Sequence, residues 1–246
     1  MKIVFVTQWF APEPGTGVPQ TIARILAERG HDVHVLTGFP NYPDGHLHPG
    51  WQMRPYCREN RDGLTIHRAA LYPSHDGHAI GRAVNYLSFA LSATGVALSR
   101  LKRPDVWLIY SSPVTASMPA IIARRSMRAP TAVIVQDLWP DSVLESGMLR
   151  SSLGRVAKPL LTAVSNAAYT KASSVGIISR GMRKVLIERG VDNDRIFFTP
   201  NSVDLPAEPS APLWDRRQVG IYRGVVFTYA GTVGPLQNLK PLVAAF

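Results

Sequence analysis

The sequence contains little cysteine, few acidic residues over one long stretch, and no apolar run long enough to cross a membrane. Its single cysteine, Cys57, excludes an intrachain disulfide framework and a cysteine-rich zinc site. Residues 83–99 carry no charge, but these 17 positions include serine, threonine and asparagine side chains. A spanning helix needs about 20 predominantly apolar residues, so this segment predicts a buried or interfacial helix instead.

Several motifs with a defined chemistry are also missing. The chain has no Gly-Lys-Ser/Thr of a P-loop, no G-x-G-x-x-G with a suitably placed acid, and no G-x-S-x-G nucleophile elbow. These absences argue against P-loop, NAD-fingerprint and serine-hydrolase chemistry. The histidine pairs His46-x-His48 and His75-x-x-His78 lack an acid at helical spacing, so we expect no metal site.

The net charge of +10 is concentrated in the middle of the chain. Residues 77–187 hold fourteen Lys and Arg side chains against four acids, whereas the segments on either side are neutral. This distribution predicts a directed electropositive surface, and the alternative is a solvated face that serves solubility. Because aromatic residues do not interleave with the cations, we expect an anionic membrane surface as the partner rather than nucleic acid.

Apolar strands alternate with helices over the first 200 residues, which indicates an α/β fold with a Rossmann-like, doubly wound parallel sheet. Residues 38–62 are expected to be irregular, and Pro159 is expected to kink or restart its helix. The pattern predicts strands at 2–7, 33–37, 64–68, 106–110, 131–135, 174–178 and 196–199, and helices at 19–29, 79–101, 115–128, 151–171 and 182–189.

A proline-rich segment divides the predicted domain from a second pattern. Residues 201–224 form the predicted interdomain linker, and 1–200 the N-terminal domain. Residues 225–246 read as strand, glycine turn and helix, the opening of a second Rossmann-like domain. One strand and part of a helix cannot bury a core, so we expect that this domain is truncated or that something else supplies its remainder.

Polar side chains follow the predicted strands at the edge where open α/β sheets bind ligands. Asp137 comes directly after a buried strand and is the predicted catalytic residue, placed to orient a sugar hydroxyl or accept a proton. Capping the next helix is the alternative for this residue. Asn41, Tyr42 and Asp141 are predicted to bind substrate, since Asn41-Tyr42 offers hydrogen bonds and an aromatic face to a carbohydrate. A proline-rich turn is the alternative for that pair.

Two glycine-rich turns each lie between a predicted strand and a helix. They are Gly15-Thr16-Gly17 and the segment from Gly231 to Gly234. Such turns direct backbone N–H groups and a helix N-terminus toward an anion. A tight turn that needs positive φ is the alternative for each of them.

Four stretches in a fixed order carry a family resemblance: FAPEPGTG at 10–17, RGHDVHVLTGFPNYP at 29–43, QDLWPDS at 136–142, and PNSVD at 200–204 followed by YAGTVG at 229–234. Together they resemble the family 4 glycosyltransferases of GT-B architecture, which have two facing Rossmann-like domains. GFPNYP and DLWP resemble the branch that builds bacterial cell-surface polysaccharides, the fucosaminyl- and colanic-acid-type transferases.

The resemblance implies transfer of a sugar from a nucleotide-sugar, with UDP-sugar as the donor substrate, to a lipid-linked or saccharide acceptor. It implies retention of anomeric configuration, no metal and no cofactor. The N-terminal domain would hold the acceptor and the C-terminal domain the donor. A cytoplasmic enzyme, peripheral at the inner face of the cell membrane, is the expected setting.

Individual positions are carried over from the same resemblance. The loop of Gly15, Thr16 and Gly17 would approach the donor diphosphate or the acceptor. Asn201 and Asp204 would shape the linker. The donor phosphate would be lined from the other domain by Gly231, Thr232 and Gly234.

The chain departs from the family pattern in two places. Thr16 separates two glycines that are commonly adjacent in the family. The basic pair and spaced glutamates that hold the donor are missing, and Lys240 does not replace them, so we expect little or no transferase activity from this chain alone. A noncatalytic module that docks on membrane or acceptor, and a GT-B-type nucleotide-sugar epimerase, are the alternatives.

Overall fold

The computed structural model describes residues 1–74, 79–141, 152–202, 216–220, 225–231, 233 and 237–245. The chain separates into two units, Met1–Val203 and Asp204–Phe246. The first unit contains the β-sheet and the pockets at its edge.

The first unit contains strands β1 (Lys2–Val6), β2 (Asp32–Gly38), β3 (Tyr56–Arg61), β4 (Leu64–Ala69), β5 (Val106–Ser111), β6 (Thr131–Val135), β7 (Ser174–Ile177) and β8 (Ile196–Phe198). Its helices are α1 (Gly17–Glu28), α2 (Ala79–Arg100), α3 (Met118–Met127), α4 (Ser152–Thr170) and α5 (Met182–Glu188), with 3-10 turns at Val114–Ser117 and Asn193–Arg195. The described part of the second unit contains a 3-10 turn, Arg216–Val219, and helix α6 (Lys240–Ala244).

The strands form one eight-stranded sheet in the order β3-β4-β2-β1-β5-β6-β7-β8. Every neighbouring pair is parallel except β3 and β4, which are antiparallel. The predicted α/β class, with a Rossmann-like sheet, is therefore confirmed. The order reverses direction at β1, between β2 and β5, and ligands of open α/β sheets bind beyond the carboxyl ends of the strands at such a point.

The two faces of the sheet are covered by different helices. On one face, Phe5 of β1 and Val33 and Val35 of β2 pack with apolar residues of α1. On the other face, the alternate residues of the same strands, such as Val4, join residues of α2, α3 and α4 in a larger core that includes Trp107. Burial on both faces explains why the central strands are nearly continuous apolar runs.

Strand β3 lies inside the segment that the sequence predicts to be irregular, so that prediction is wrong. Its residues are polar and mostly half-buried or exposed, which removes the apolar alternation that marks a strand. The turn that joins it to β4 has positive φ at both Asp62 (52°) and Gly63 (75°). An Asp-Gly pair is a strong signal for a two-residue hairpin, and it could have located the strand.

A further expectation fails. The strand predicted at 225–229 is not formed, and residues 225–230 are exposed and without regular structure. A strand needs a hydrogen-bonded partner, and the described residues of the second unit supply none. Of the two outcomes predicted at Pro159, a restart does not occur, since helix α4 continues through this residue at the cost of one backbone hydrogen bond.

Candidate functional site

The loops that follow β2, β1, β5 and β6 meet at one edge, because these four strands are neighbours in the sheet. Residues Thr7–Thr16 follow β1, and the loop that contains Tyr42 follows β2. Ser112 follows β5, and Asp137 follows β6. The sequence-predicted residues of the first domain therefore converge on the carboxyl edge of the sheet.

A pocket of about 190 Å³ opens between these loops. Ligand pockets usually enclose roughly 300 to 1,000 Å³, so this one accommodates part of a ligand rather than a whole nucleotide-sugar. Its lining residues are Thr7, Trp9, Pro14, Gly15, Thr16, Pro19, Tyr42, Tyr110 and Ser112.

The first glycine loop is shaped by its own residues. Gly15 has φ +74°, which disfavours an L side chain, and a Cβ there would lie 3.8 Å from the Tyr42 ring. Thr16 is buried, and its hydroxyl donates to the Glu13 carbonyl at 2.6 Å. Gly17 begins α1 and instead lines a second depression, between α1 and the β3–β4 hairpin. The structure thus brings Gly15 and Thr16 to the pocket but not Gly17.

Glu13 ties the loop after β1 to the loop after β2. Its side chain is buried, with 2% of the residue exposed. One carboxylate oxygen accepts the backbone N–H groups of Asn41 (2.8 Å) and Tyr42 (2.9 Å), and the other accepts that of Phe10 (3.0 Å). Burial raises the pKa of this carboxyl group, and the three backbone donors act in the opposite direction. Glu13 therefore sets the position of Tyr42 in the pocket wall.

Arg68 of β4 also connects the segments that follow β1 and β2. Its buried guanidinium pairs with Glu59 of β3 at 2.6 Å and lies 4.5 Å above the Trp51 ring. It also donates to the carbonyls of Gly38 (3.0 Å) and Ala11 (2.5 Å). A planar group with five donors can satisfy all of these partners together, which a lysine could not.

Asn41 is fully buried beneath the pocket. Its amide nitrogen donates to the Phe39 carbonyl, and its amide oxygen accepts from Asn85 of α2 at 3.2 Å. Asn41 was predicted to bind substrate, but its side chain is buried and forms its hydrogen bonds within the protein. The neighbouring Tyr42 is half-buried and remains at the pocket wall.

A row of aromatic rings runs from the loop after β2 to the loop after β6, and two of its members, Tyr42 and Trp9, line the pocket. Trp9 contacts Tyr42 with ring centroids 5.7 Å apart, and Tyr86 of α2 at 6.1 Å. Tyr86 in turn contacts Trp139 at 5.9 Å. Aromatic faces beside hydrogen-bonding groups suit the apolar faces and hydroxyls of a sugar.

Asp137 is exposed on the opposite side of the cleft. Its carboxylate accepts a hydrogen bond from the Ser112 hydroxyl at 3.2 Å. Burial raises the pKa of Tyr110 to about 12, and the negative charge of Asp137 adds to that increase. Burial also raises the pKa of Tyr86, with Asp137 contributing in the same direction. The carboxylate thus faces the cleft and is accessible to a ligand.

Asp141 is placed differently from Asp137. Its carboxylate forms an ion pair with Arg189 at 2.5 Å, and the same guanidinium donates to the Trp139 carbonyl at 2.6 Å. Asp141 is therefore engaged in fixing the loop after β6, and the structure does not bring it into the pocket lining.

The remaining predicted residues lie elsewhere. Asn201 exchanges two amide hydrogen bonds with Gln136, at 3.1 and 2.8 Å, which anchors the segment after β8 beside the loop after β6. Gly231 belongs to the second unit and has φ +155°. Thr232, Gly234 and Asp204 lie outside the described residues.

Histidines do not gather into a metal centre in the described part of the chain, where no three metal-binding side chains cluster. His48 contacts the Tyr42 carbonyl at 2.8 Å, and His46 contacts the Asp44 carbonyl at 2.9 Å. His75 and His78 lie outside the described residues.

Sequence reasoning missed Glu13, Ser112 and the ring of Tyr86. An acid inside a Pro- and Gly-rich loop was a usable signal for Glu13, because such loops present many unpaired backbone donors. Nothing in the local sequence marks Ser112 or Tyr86, since their roles depend on contacts with residues far along the chain.

The fold and this cleft define an α/β protein of Rossmann-like architecture with a polar and aromatic site at the switch point of its sheet. Residues 16–202 match the model of the glycosyl transferase 4-like domain. The chain belongs to this family.

Similar proteins agree with that assignment. WcaI of Escherichia coli strain K12, provisionally assigned as a colanic acid biosynthesis glycosyl transferase, is 25% identical over 254 residues. The match covers 100% of this chain and 62% of WcaI, so the chain spans less than two thirds of that relative.

Among solved structures, the catalytic domain of starch synthase IV from Arabidopsis thaliana, bound to ADP and acarbose, superposes with a TM-score of 0.55. The two chains are 13% identical, and the superposition covers 82% of this chain and 52% of the starch synthase chain. This similarity concerns the fold alone. HepE of Anabaena in complex with UDP-glucose is 16% identical, with a TM-score of 0.46 over 83% of this chain and 44% of that one.

Proposed function

We propose that this chain forms the acceptor-binding part of a glycosyltransferase that moves a sugar from a nucleotide-sugar to a lipid-linked acceptor in cell-surface polysaccharide synthesis. The family match over residues 16–202 carries the proposal, because these residues include the cleft loops that follow β2, β5 and β6. The resemblance of the GFPNYP and DLWP segments to the colanic-acid-type branch supports the polysaccharide and the UDP-sugar.

The proposed roles follow from the geometry of the cleft. The aromatic row of Tyr42, Trp9 and Tyr86 packs against the acceptor sugar. Asp137, held by Ser112, accepts a hydrogen bond from the acceptor hydroxyl and orients it. In the reaction, the acceptor oxygen forms a bond to the anomeric carbon with retention of configuration. The bond from that carbon to the donor phosphate breaks, the nucleoside diphosphate leaves, and the hydroxyl proton is released.

Donor contacts are proposed for the second unit, where Gly231, Thr232 and Gly234 would line the phosphate, and for Gly15 on the acceptor side. The reaction would need no metal and no other cofactor. The excess of positive charge in residues 77–187 supports a peripheral position at the anionic inner face of the cell membrane. No helix in the described residues is both long and apolar enough to cross a bilayer.

Acceptor binding tests the first part of the proposal without requiring turnover. Titration with lipid-linked saccharides should change the fluorescence of Trp9 at the cleft. The response should weaken at least about tenfold in Tyr42→Ala, because a stacked aromatic face is removed. Leu160→Ala, a change at an exposed residue of α4, is the matched control. Binding that is unchanged in Tyr42→Ala would contradict the acceptor site.

Transfer tests the second part. Transfer is measured in a protein that joins this acceptor-binding part to a donor-binding domain of the same family. Radiolabelled UDP-sugars and lipid acceptors should then give a labelled lipid product, with Asp137→Asn lowering its formation about a hundredfold or more. Asp141→Asn is the matched control, since that carboxylate pairs with Arg189. Interconversion of a nucleotide-sugar without any acceptor would instead indicate an epimerase. Acceptor binding without transfer in the joined protein would indicate a docking module.

A further inference from the structure

Helix α2 presents an apolar surface to solvent. Seven of its residues between positions 80 and 98 are exposed, and every one of them is apolar. The five large side chains are 42% to 66% exposed. The set, called here the apolar face of α2, consists of Ile80, Ala83, Val84, Leu87, Leu91, Gly95 and Leu98.

This face is unusual because the opposite side of α2 is already packed. Phe89, Ala93 and Ala97 lie in the larger core, fully buried. The polar residue Asn85 on that side is bonded to Gln8 and Asn41. A surface helix normally carries charged residues on its outer face, and a contiguous exposed apolar face marks a surface that a partner or a membrane covers.

The charges around the apolar face of α2 indicate which kind of surface covers it. The helix ends at Arg100, and Lys102 and Arg103 follow it, all three exposed. Arg82 lies in the first turns of the helix. Acidic residues are absent from 79–104. A second copy of the chain would bring these cations against cations, whereas an anionic lipid surface complements them.

We propose that the apolar face of α2 inserts into the headgroup region of an anionic lipid bilayer, with the helix lying in the plane of the membrane and its basic end contacting lipid phosphates. Interfacial helices bury such a face by roughly 5 to 10 Å. The apolar side chains of α2 enter the bilayer, and the basic side chains remain at the edge of the inserted face, where they contact the lipid headgroups. This inference deepens the proposed function by specifying its membrane surface, and it rests on that function only for the acceptor.

The position of α2 connects the membrane to the cleft. Tyr86, on the same helix, contacts Trp9 on one side and Trp139 on the other. A bilayer that covers the apolar face of α2 therefore lies beside the aromatic row of the cleft. A lipid-linked acceptor could then present its sugar to Asp137 while its lipid stays in the membrane.

Co-sedimentation with vesicles tests the insertion. The wild-type chain should bind vesicles of phosphatidylcholine with phosphatidylglycerol. Leu87→Gln/Leu91→Gln should lower the partition coefficient at least about tenfold, because two exposed leucines lose their apolar transfer free energy. Ile187→Gln/Leu242→Gln, at residues 43% and 47% exposed on other helices, is the matched control and should bind as the wild type does.

A second set of variants separates the charge contribution. Arg100→Gln, Lys102→Gln and Arg103→Gln should each reduce binding about fivefold on vesicles with phosphatidylglycerol, and leave binding to pure phosphatidylcholine unchanged. Raising the salt concentration should have the same effect as removing these charges.

Three results would overturn the inference. The wild type would show no vesicle binding, or the Leu87→Gln/Leu91→Gln variant would bind as the wild type does, or this variant would abolish a dimer seen by sedimentation velocity without changing vesicle binding. The last result would assign the face to a second copy. Binding of a water-soluble acceptor saccharide, read from tryptophan fluorescence, should persist in the double variant, so failure of insertion is distinguishable from failure of the acceptor-binding proposal.

Discussion

The cleft is bordered on one side by the loops after β1 and β2, here the first wall, and on the other by the loops after β5 and β6, the second wall. In the first wall, the buried side chains of Glu13 and Arg68 satisfy backbone groups of both loops. In the second wall, Asp141 pairs with Arg189 at the surface, and Asp137 is exposed with one side-chain hydrogen bond from Ser112. The first wall is therefore fixed by buried charges, whereas the second wall is fixed by an exposed ion pair and leaves the Asp137 carboxylate accessible to a ligand.

This contrast leads to an order of expected effects on stability. Substitutions of buried charges should lower the free energy of unfolding by several kcal/mol at most, because each leaves its partners without hydrogen bonds in a dry environment. Substitutions of the exposed charges should leave the fold intact and alter binding or turnover. The four changes below follow that order.

The largest effect is expected for Arg68→Met. The change leaves Glu59 and the carbonyls of Ala11 and Gly38 without their common donor, at a cost of about 3 to 5 kcal/mol. Urea unfolding followed by tryptophan fluorescence measures this cost. Arg61→Met, which removes an exposed partner of Asp62, is the control and should cost less than about 1 kcal/mol. Equal costs for both variants would remove the distinction between the walls.

Glu13→Gln should come next. An amide keeps one acceptor oxygen but places an NH₂ group against a backbone donor, which should lower the free energy of unfolding by about 2 kcal/mol. The same denaturation experiment applies. Glu28→Gln, which breaks an exposed pair with Arg24 on α1, should change stability by less than about 1 kcal/mol. A Glu13→Gln protein as stable as the wild type would show that the first wall does not depend on this carboxylate.

Acid should destabilise the sheet beneath the first wall through His67. Its ring contacts His34 at 2.9 Å and the Tyr56 hydroxyl at 2.8 Å, and burial lowers its pKa from 6.5 to about 4, with His34, Arg58 and Lys2 adding to the decrease. Burial also lowers the pKa of His34, although Asp32 opposes this. The unfolded chain binds the proton first, so stability is complete above pH 6.5 and is lost as the pH falls toward 4.

The loss attributable to His67 between pH 7.5 and 5 should be about 2 kcal/mol. Unfolding curves at both pH values measure it for the wild type and for His67→Gln. The variant should lose much of this pH dependence, whatever its stability at neutral pH. An unchanged dependence in the variant would assign the acid sensitivity to other groups.

The smallest effect on stability is expected for Asp137→Asn in the second wall. This carboxylate is exposed and accepts one side-chain hydrogen bond, so the free energy of unfolding should change by less than about 0.5 kcal/mol. Removing its negative charge should also lower the pKa of Tyr110 from about 12, which ultraviolet titration of tyrosinate measures. A destabilised variant would place Asp137 among the structural charges and weaken its assignment to acceptor binding.

Much of the fold was predictable because the central strands are buried on both faces. Runs such as Thr131–Val135 are short, mostly apolar and rich in β-branched residues, which together favour a buried strand. Strand β3 was not predictable from the hydrophobic pattern, because a polar strand at the edge of a sheet has no apolar alternation. The segment at 225–229 shows the opposite error, because a β-branched and aromatic run forms a strand only when a partner is present.

The site was predictable to the level of loops but not of side chains. Position after a strand correctly brought Gly15, Tyr42 and Asp137 to one edge of the sheet. The local sequence does not show which side chains are buried by contacts with distant residues. Asn41 was therefore expected to contact a ligand, whereas it is bonded to Asn85, 44 positions away along the chain. Asp141 likewise depends on Arg189, 48 positions away.

The hairpin of β3 and β4 has a consequence for the behaviour of the protein in concentrated solution. Exposed Arg58, Asn60 and Arg61 occupy the outer strand of the sheet, and charged side chains on such a strand oppose pairing with another molecule. The opposite border, β8, carries Phe197 and Phe198, both more than 40% exposed. Intermolecular association through strand pairing is therefore expected to begin at β8, so a lysine introduced at Phe197 should improve solubility more than any change at β3.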